Sequence, residues 1–269
     1  MRATSIPGKL HQLWSLPWTE KRKFIQGWLG RERSGTIPCV LPCSKRLLYI
    51  PLREFYESYS FFCESREGRD ELGYFLKRLQ PGDIIYDIGA FRGAYGAAAK
   101  AAFGDEVSVH LFEPVQANAE QIRVISQLNN FRGFEIVEKA VGSGTQITGG
   151  LDPTDKMLRQ DNLGNAFTRA ELPSISVDAY VKESHTTPSA IKLDVEGFEL
   201  EVIEGARKCL VENGPRLWVE LHPDYLAAQG KRWQSAIETL EAIGYSSITF
   251  FKDYKSSTRD VAFHVWCQK

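Results

Sequence analysis

The sequence predicts a doubly wound α/β fold: a mostly parallel seven-stranded sheet closed by a C-terminal antiparallel strand, preceded by a helical and hairpin extension. Three observations predict it. Ile84-Ile85-Tyr86-Asp87-Ile88 is a short apolar run between turn residues, as a strand covered on both faces requires. Candidate strands and helices then alternate at the spacing of βαβ crossovers. Finally, the last two candidate strands, Ser246–Phe251 and Val261–Cys267, are separated only by Lys252–Asp260, too short for a helical crossover.

The elements follow in order. Residues 1–35 read as helical, with Phe24, Ile25, Trp28 and Leu29 on one face and Lys21, Arg22 and Lys23 on the polar side. Such a face can pack on its own domain, cap the active site, pair two copies into a homo-oligomer, or lie on a membrane. Thr36–Leu41 and Arg46–Leu52 flank Pro42-Cys43-Ser44-Lys45 and read as a β-hairpin. The extension is set at residues 1–66 and the main domain at 67–269. Glu67–Leu79 carries Leu72, Phe75, Leu76 and Leu79 on one side and is stopped by Pro81-Gly82-Asp83.

After strand Ile84–Ile88 come helix Ala94–Phe103, strand Val107–Phe112, helix Ala117–Asn129 and strand Phe134–Val141. Gly142–Pro173 is rich in glycine and weakly periodic; its length predicts a small hairpin insert or a lid beside the active site. Strand Ala190–Leu193, helix Phe198–Val211, strand Arg216–Leu221 and helix Trp233–Ile243 lead to the closing pair.

The chain has 269 residues, a formal net charge of -1 and a pI near 6.5. That balance lacks the basic surface a phosphate backbone demands, so nucleic acid is not an expected partner. Five scattered cysteines and no secretory h-region argue against a disulfide framework. No run of eighteen apolar residues predicts a membrane span, and a cytoplasmic location is expected.

The chemistry begins where the first sheet strand ends. In open α/β sheets ligands bind beyond the strands' C-terminal ends, where the strand order reverses. Asp87-Ile88-Gly89-Ala90-Phe91-Arg92-Gly93 is a D-x-G-x-x-x-G turn into a helix. Gly89 permits a sharp turn and close backbone approach. Gly93 and Ala94 let the helix pack on the strand. Asp87 suits a ligand bearing an ammonium group, met directly or through water. Glu113, followed by Pro114, ends the second strand, where a carboxylate accepts from both ribose hydroxyls. Asp87, Gly89, Ala90, Gly93, Glu113 and Pro114 therefore form a candidate nucleoside-cofactor site. A dinucleotide needs a G-x-G-x-x-G turn for its pyrophosphate, and Ala90 and Phe91 occupy the place of the second glycine. S-adenosylmethionine, without phosphate but with a charged sulfur and an amino-acid end, is the expected cofactor. A nicotinamide-dependent dehydrogenase or epimerase and a non-catalytic binding module are the competing readings.

Four stretches, YDIGAFRG (86–93), LFEP (111–114), IKLDVEGFELEVIEG (191–205) and WVELHP (218–223), resemble the FkbM-type methyltransferase family. SVDAYV (176–181) is similar to its lead into the fourth strand. The resemblance implies a Rossmann-like methyltransferase fold, S-adenosylmethionine as donor, and a hydroxyl on a sugar, glycolipid or secondary metabolite as acceptor. One departure stands out: Phe91 and Arg92 replace the asparagine and apolar residue common in the family.

Lys192, Asp194 and Glu196 alternate along strand four, and Glu220 and His222 along strand five, so each set points to one side. An alcohol acceptor needs its proton removed as the new bond forms, which makes His222 the candidate base and Asp194 the residue that positions methyl or acceptor. Lys192 has the plainer reading of neutralising a carboxylate, Glu196 that of capping the next helix, and Glu199 and Glu201 that of complementing its dipole. Asp194, Glu220 and His222 offer ligands to a divalent metal if they converge, but no metal is predicted from sequence alone.

Overall fold

The computed structural model describes residues 35–144, 146–151, 158–159, 168–251 and 262–269. The helix expected over residues 1–35 lies almost wholly outside them.

Strands β1 (Thr36–Cys39) and β2 (Leu48–Pro51) pair antiparallel as the expected hairpin. The chain then continues as α1 (Leu52–Glu54), a π-helical turn over Phe55–Tyr59, and α2 (Ser60–Glu64). Neither the helix pair nor the π turn has a readable repeat in the sequence. Ser65 accepts from Gly68 N–H and so caps α3 (Arg66–Leu76).

The main sheet comprises β3 (Ile84–Ile88), β4 (Ser108–Phe112), β5 (Phe134–Val137), β10 (Ala190–Leu193), β11 (Arg216–Leu221), β12 (Ser247–Phe250) and β13 (Phe263–Gln268), in the spatial order β12-β13-β11-β10-β3-β4-β5. The pairs from β11 through β10, β3 and β4 to β5 are parallel. The final strand does not sit at the edge. β13 inserts between β11 and β12 and runs antiparallel to both. The strand order reverses between β3 and β10, which puts the predicted ligand crevice above Gly89 and Asp194.

Helices α4 (Ala94–Phe103), α5 (Gln116–Leu128), α6 (Val177–Ser184), α7 (Glu199–Gly205), α8 (Arg207–Asn213), α9 (Pro223–Ala228) and α10 (Gln234–Ala242) complete the domain. The helix expected over Phe198–Val211 is two, broken at Ala206. The strand expected over Phe134–Val141 is also two: β5 stays in the main sheet, while β6 (Ala140–Val141) pairs with β9 (Thr168–Ile175) in a second sheet. That four-stranded sheet, completed by β7 (Gln146–Leu151) and β8 (Leu158–Arg159), is the insert expected over 142–173.

Side chains alternate across the strands and build two cores. One face joins Ile85, Val109, Leu111, Trp218 and Trp266 to α4 and to Leu41, Leu48, Ile50, Phe55 and Tyr59 of the extension. The other joins Tyr86, Ile88, Ile191, Leu193, Leu217 and Val219 to α7, α8 and α10. Residues 36–64 therefore share a core with the sheet. All five cysteines are free thiols. Among the described residues, no helix is long and apolar enough to cross a membrane.

Candidate active site

The turn after β3 is built by backbone economy. Gly89 has φ +75°, and a β-carbon there would lie 1.7 Å from the carbonyl oxygen of Asp194. The neighbouring strand passes so close that only glycine fits. Gly93, with φ +71°, opens α4, and a β-carbon would meet Ile122 and Leu111 at 3.2–3.3 Å. Gly89 and Ala90 both donate to Phe112 O, and Gly93 donates to Ala90 O. Phe91, itself left-handed at φ +51°, donates to Glu113 Oε2 at 2.8 Å.

A cleft of about 660 Å³, counted to its open mouth, lies over this turn. Gly89, Phe91, Glu113, Pro114 and Asn118 line one side, and Asp194, Val195, Glu196 and Phe198 another. Phe112, Ala140, Val141 and Ile147 complete an apolar wall. Gly89, Glu113 and Pro114 of the predicted cofactor set, together with Asp194, are thus brought to one cavity.

Three predicted cofactor residues do not face the cleft. Gly93 and Ala90 shape the turn from behind. Asp87 is buried and accepts from Gly96 N–H at 3.1 Å, with its other oxygen 3.4 Å from Lys192 Nζ. The ammonium beside Asp87 in this structure is that of Lys192. Lys192 also donates to Gly89 O at 2.7 Å and lies 3.4 Å from Asp194 Oδ2. Burial disfavours its charge, but Asp194, Asp87 and Glu220 hold the ammonium well above the usual lysine range.

Glu113 Oε1 accepts from Val115 N–H at 3.0 Å and Asn118 Nδ2 at 3.2 Å. Burial pushes its carboxyl up to about 7 against these bonds, the Phe91 N–H and Lys192. It lines the cleft and retains acceptor capacity on Oε2 beyond Phe91. The turn's N–H groups at Gly89, Ala90, Phe91 and Gly93 are engaged within the protein, to Phe112 O, Glu113 Oε2 and Ala90 O. The charged residues among the cleft's lining, Glu113, Asp194 and Glu196, are all carboxylates. That suits ribose hydroxyls and an ammonium and does not suit a pyrophosphate. The residues fit S-adenosylmethionine better than a dinucleotide.

Beside the cleft, β10 and β11 are parallel neighbours, with Lys192 opposite Asp87 on one side and Trp218 on the other. His222 Nε2 lies 3.8 Å from Asp194 Oδ1, 3.8 Å from Glu196 Oε2 and 4.0 Å from Glu220 Oε1. Its Nδ1 is 2.6 Å from Glu199 Oε1, which also accepts from Gly197 N–H. Burial opposes a charge on the ring, but Glu199, Glu220 and Glu196 raise His222 to about 10. The surrounding carboxylates thus favour the protonated ring, and Nε2 takes up an acceptor's proton or a cation only after giving up its own. Glu199 stands in the first turn of α7, where it suits the helix dipole, and it is in addition the buried partner of His222. Glu201 pairs with Lys231 at 2.5 Å.

Sequence reading missed Glu71 and His264. His264 stacks on Trp218 at 4.8 Å and reaches Glu220 Oε2 at 3.3 Å, while Glu71 accepts from Tyr95 OH at 2.5 Å. Burial works against the charge on Glu220, but His264, His222 and Lys192 hold its carboxyl below the usual range. Burial raises that of Asp194. The alternation Trp218-Glu220-His222 signalled the shared face, but nothing local linked β13 to it. Arg92 reaches back to Glu57 Oε2 at 2.9 Å, and Arg92 O accepts from Tyr59 OH at 3.0 Å. The departure at Arg92 is thus explained by the extension.

The strand order and the cleft at its reversal define a Rossmann-like domain of the class I methyltransferase type. The model of the methyltransferase FkbM domain matches residues 87–247, and the chain belongs to that family. Among solved structures it is similar to methyltransferase FkbM from Methylobacillus flagellatus KT (17% identity, TM-score 0.48), covering 80% of this chain and 54% of that one. This chain thus spans about half the length of that protein. It is also similar to a SAM-dependent O-methyltransferase from Thermotoga maritima (13% identity, 80% and 71% covered, TM-score 0.46). A third similar chain, from Streptococcus mutans, was solved in complex with SAH (10% identity, 76% and 98% covered, TM-score 0.45). No curated protein matches the sequence.

Proposed function

We propose that the protein transfers a methyl group from S-adenosylmethionine to a hydroxyl oxygen of a sugar, glycolipid or secondary metabolite. One observation carries the reading: Asp194 lines the cofactor cleft and at the same time borders the polar cluster of Glu220 and His222. A donor in the cleft and a hydroxylated acceptor on the cluster would meet at that residue.

The bound cofactor supplies an electrophilic methyl on a positively charged sulfur. The chain's own residues do the rest. Glu113 would accept from the ribose hydroxyls, and Phe112, Val141, Ile147 and Phe198 would offer the base an apolar wall that excludes water. Lys192 fixes Asp194 at the boundary, where it would position the acceptor oxygen against the methyl, and such positioning contributes much of the acceleration. The carboxylates around His222 accept hydrogen bonds from a polyol and one of them takes its proton.

Calorimetry with S-adenosylhomocysteine and with NAD tests the cofactor, and a labelled methyl donor supplied with hydroxylated extracts tests the acceptor. Homocysteine-form binding without NAD binding, and label in an alkali-stable ether, are the expected results. Binding of NAD alone, or label confined to nitrogen, overturns the reading.

A further inference from the structure

We propose that Asp194, Glu220 and His222 form a site for one hard divalent cation, of the Mg²⁺ or Mn²⁺ class, that holds and acidifies the acceptor hydroxyl. What the ion does there rests on the methyl-transfer reading; whether it binds does not.

One ligand atom from each of the three residues lies within 4.8 Å of the others. More telling is how each side chain is anchored. Asp194 gives Oδ2 to Lys192 and turns Oδ1 toward His222. Glu220 gives Oε2 to His264 and turns Oε1 the same way. His222 gives Nδ1 to Glu199 and turns Nε2 toward both. Every ligand has its second polar atom held and its first aimed at a common point.

His222 is only 7% exposed, yet its Nε2 stands 3.8–4.0 Å from the carboxylate oxygens, beyond hydrogen-bond reach. Adjacent ligand atoms of an octahedral ion bound at about 2.1 Å lie about 3 Å apart, so the three side chains surround a gap of ion size and draw inward on binding. The Glu199–His222 contact is the carboxylate–imidazole support that orients a metal-bound histidine. Charge points the same way. Asp194, Glu196, Glu199 and Glu220 all place a carboxylate oxygen within 4.0 Å of a His222 ring nitrogen, and a divalent ion replaces the ring's proton among them. Two carboxylates and one imidazole without a thiolate suit Mg²⁺ or Mn²⁺, with positions left for water and the acceptor oxygen.

In the step this serves, the acceptor oxygen binds the ion and its O–H is acidified. The new O–C bond forms as the C–S bond breaks, its electron pair going to sulfur to leave a neutral thioether. The proton passes to the carboxylate of Glu196, which stands 3.8 Å from His222.

The test uses the full chain, stripped with chelator and titrated with Mn²⁺ while free Mn²⁺ is followed by electron paramagnetic resonance. S-adenosylhomocysteine binding is measured calorimetrically on the same samples. One Mn²⁺ per wild-type chain is expected. Asp194→Asn and Glu220→Gln should weaken it at least about tenfold, and exposed Glu238→Gln should leave it unchanged. S-adenosylhomocysteine binding by Glu220→Gln reports that the fold persists, and His222→Gln replaces any variant that fails to fold. A wild type that binds S-adenosylhomocysteine but no Mn²⁺ overturns the site, as does undiminished Mn²⁺ binding by the ligand variants. A wild type that holds Mn²⁺ at these residues but not S-adenosylhomocysteine supports the site and sinks the methyl-transfer reading instead.

Discussion

Glu199 Oε1 stands 2.6 Å from His222 Nδ1, in a place where the carboxylate is fully buried and the ring nearly so. The pair ties the start of α7 to the end of β11. It therefore fixes the floor of the acceptor side from two separate segments of chain. Replacing Glu199 by glutamine removes one charge of a buried pair and strands the other, at a cost on the order of 3 kcal/mol. Urea denaturation in the presence of chelator measures it. A loss below about 0.5 kcal/mol, the range of ordinary surface changes, would contradict the pairing.

Glu113 is the second test. Its carboxyl sits near 7 because burial outweighs its hydrogen bonds. Its ionised form is the better acceptor for ribose hydroxyls, so affinity for S-adenosylhomocysteine should rise between pH 6 and pH 8. Stability moves the other way. The folded pKa is raised above the ordinary 4.5, so this group's contribution is complete below about 4.5 and is lost as pH rises through 7. Glu113→Gln should abolish the pH dependence of binding and weaken it about tenfold, the loss of roughly one charged hydrogen bond. Calorimetry at three pH values decides; an unchanged pH profile in the variant rejects the assignment.

Gly89→Ala tests the turn. The added β-carbon would fall 1.7 Å from Asp194 O, on a backbone already at φ +75°. Left-handed strain alone costs about 1–2 kcal/mol, and the strand must also move. We expect a fall in Tm of about 8 °C or more with loss of cofactor binding. A variant that melts like the wild type would show that the β3–β10 approach is looser than described.

Glu57→Gln probes the extension. Arg92 is buried in the cofactor turn and pairs with Glu57 at 2.9 Å. Neutralising Glu57 strands that guanidinium. Amide exchange should accelerate across 52–64 by about tenfold or more, with β4 and β11 unchanged, and affinity for S-adenosylhomocysteine should fall with it. Uniform acceleration through the whole sheet would instead indicate simple global destabilisation.

The sequence by itself determined the strands that begin and end at turns. Ile84–Ile88, Ala190–Leu193 and Arg216–Leu221 lie where their apolar runs and flanking turn residues put them. It also determined the glycine turn and the Glu113 strand end, because backbone conformation and local packing are written in adjacent residues. Only the tertiary structure decided that β13 slips between β11 and β12, which brings His264 to Glu220. Nor did any local pattern show that Asp87 faces Lys192, that Glu199 faces His222, or that Ile147 of the insert walls the cleft. Those contacts join residues 23 to 105 positions apart or strands from separate segments. Their energies depend on burial and on neighbouring charges, and those exist only once the chain has closed on itself.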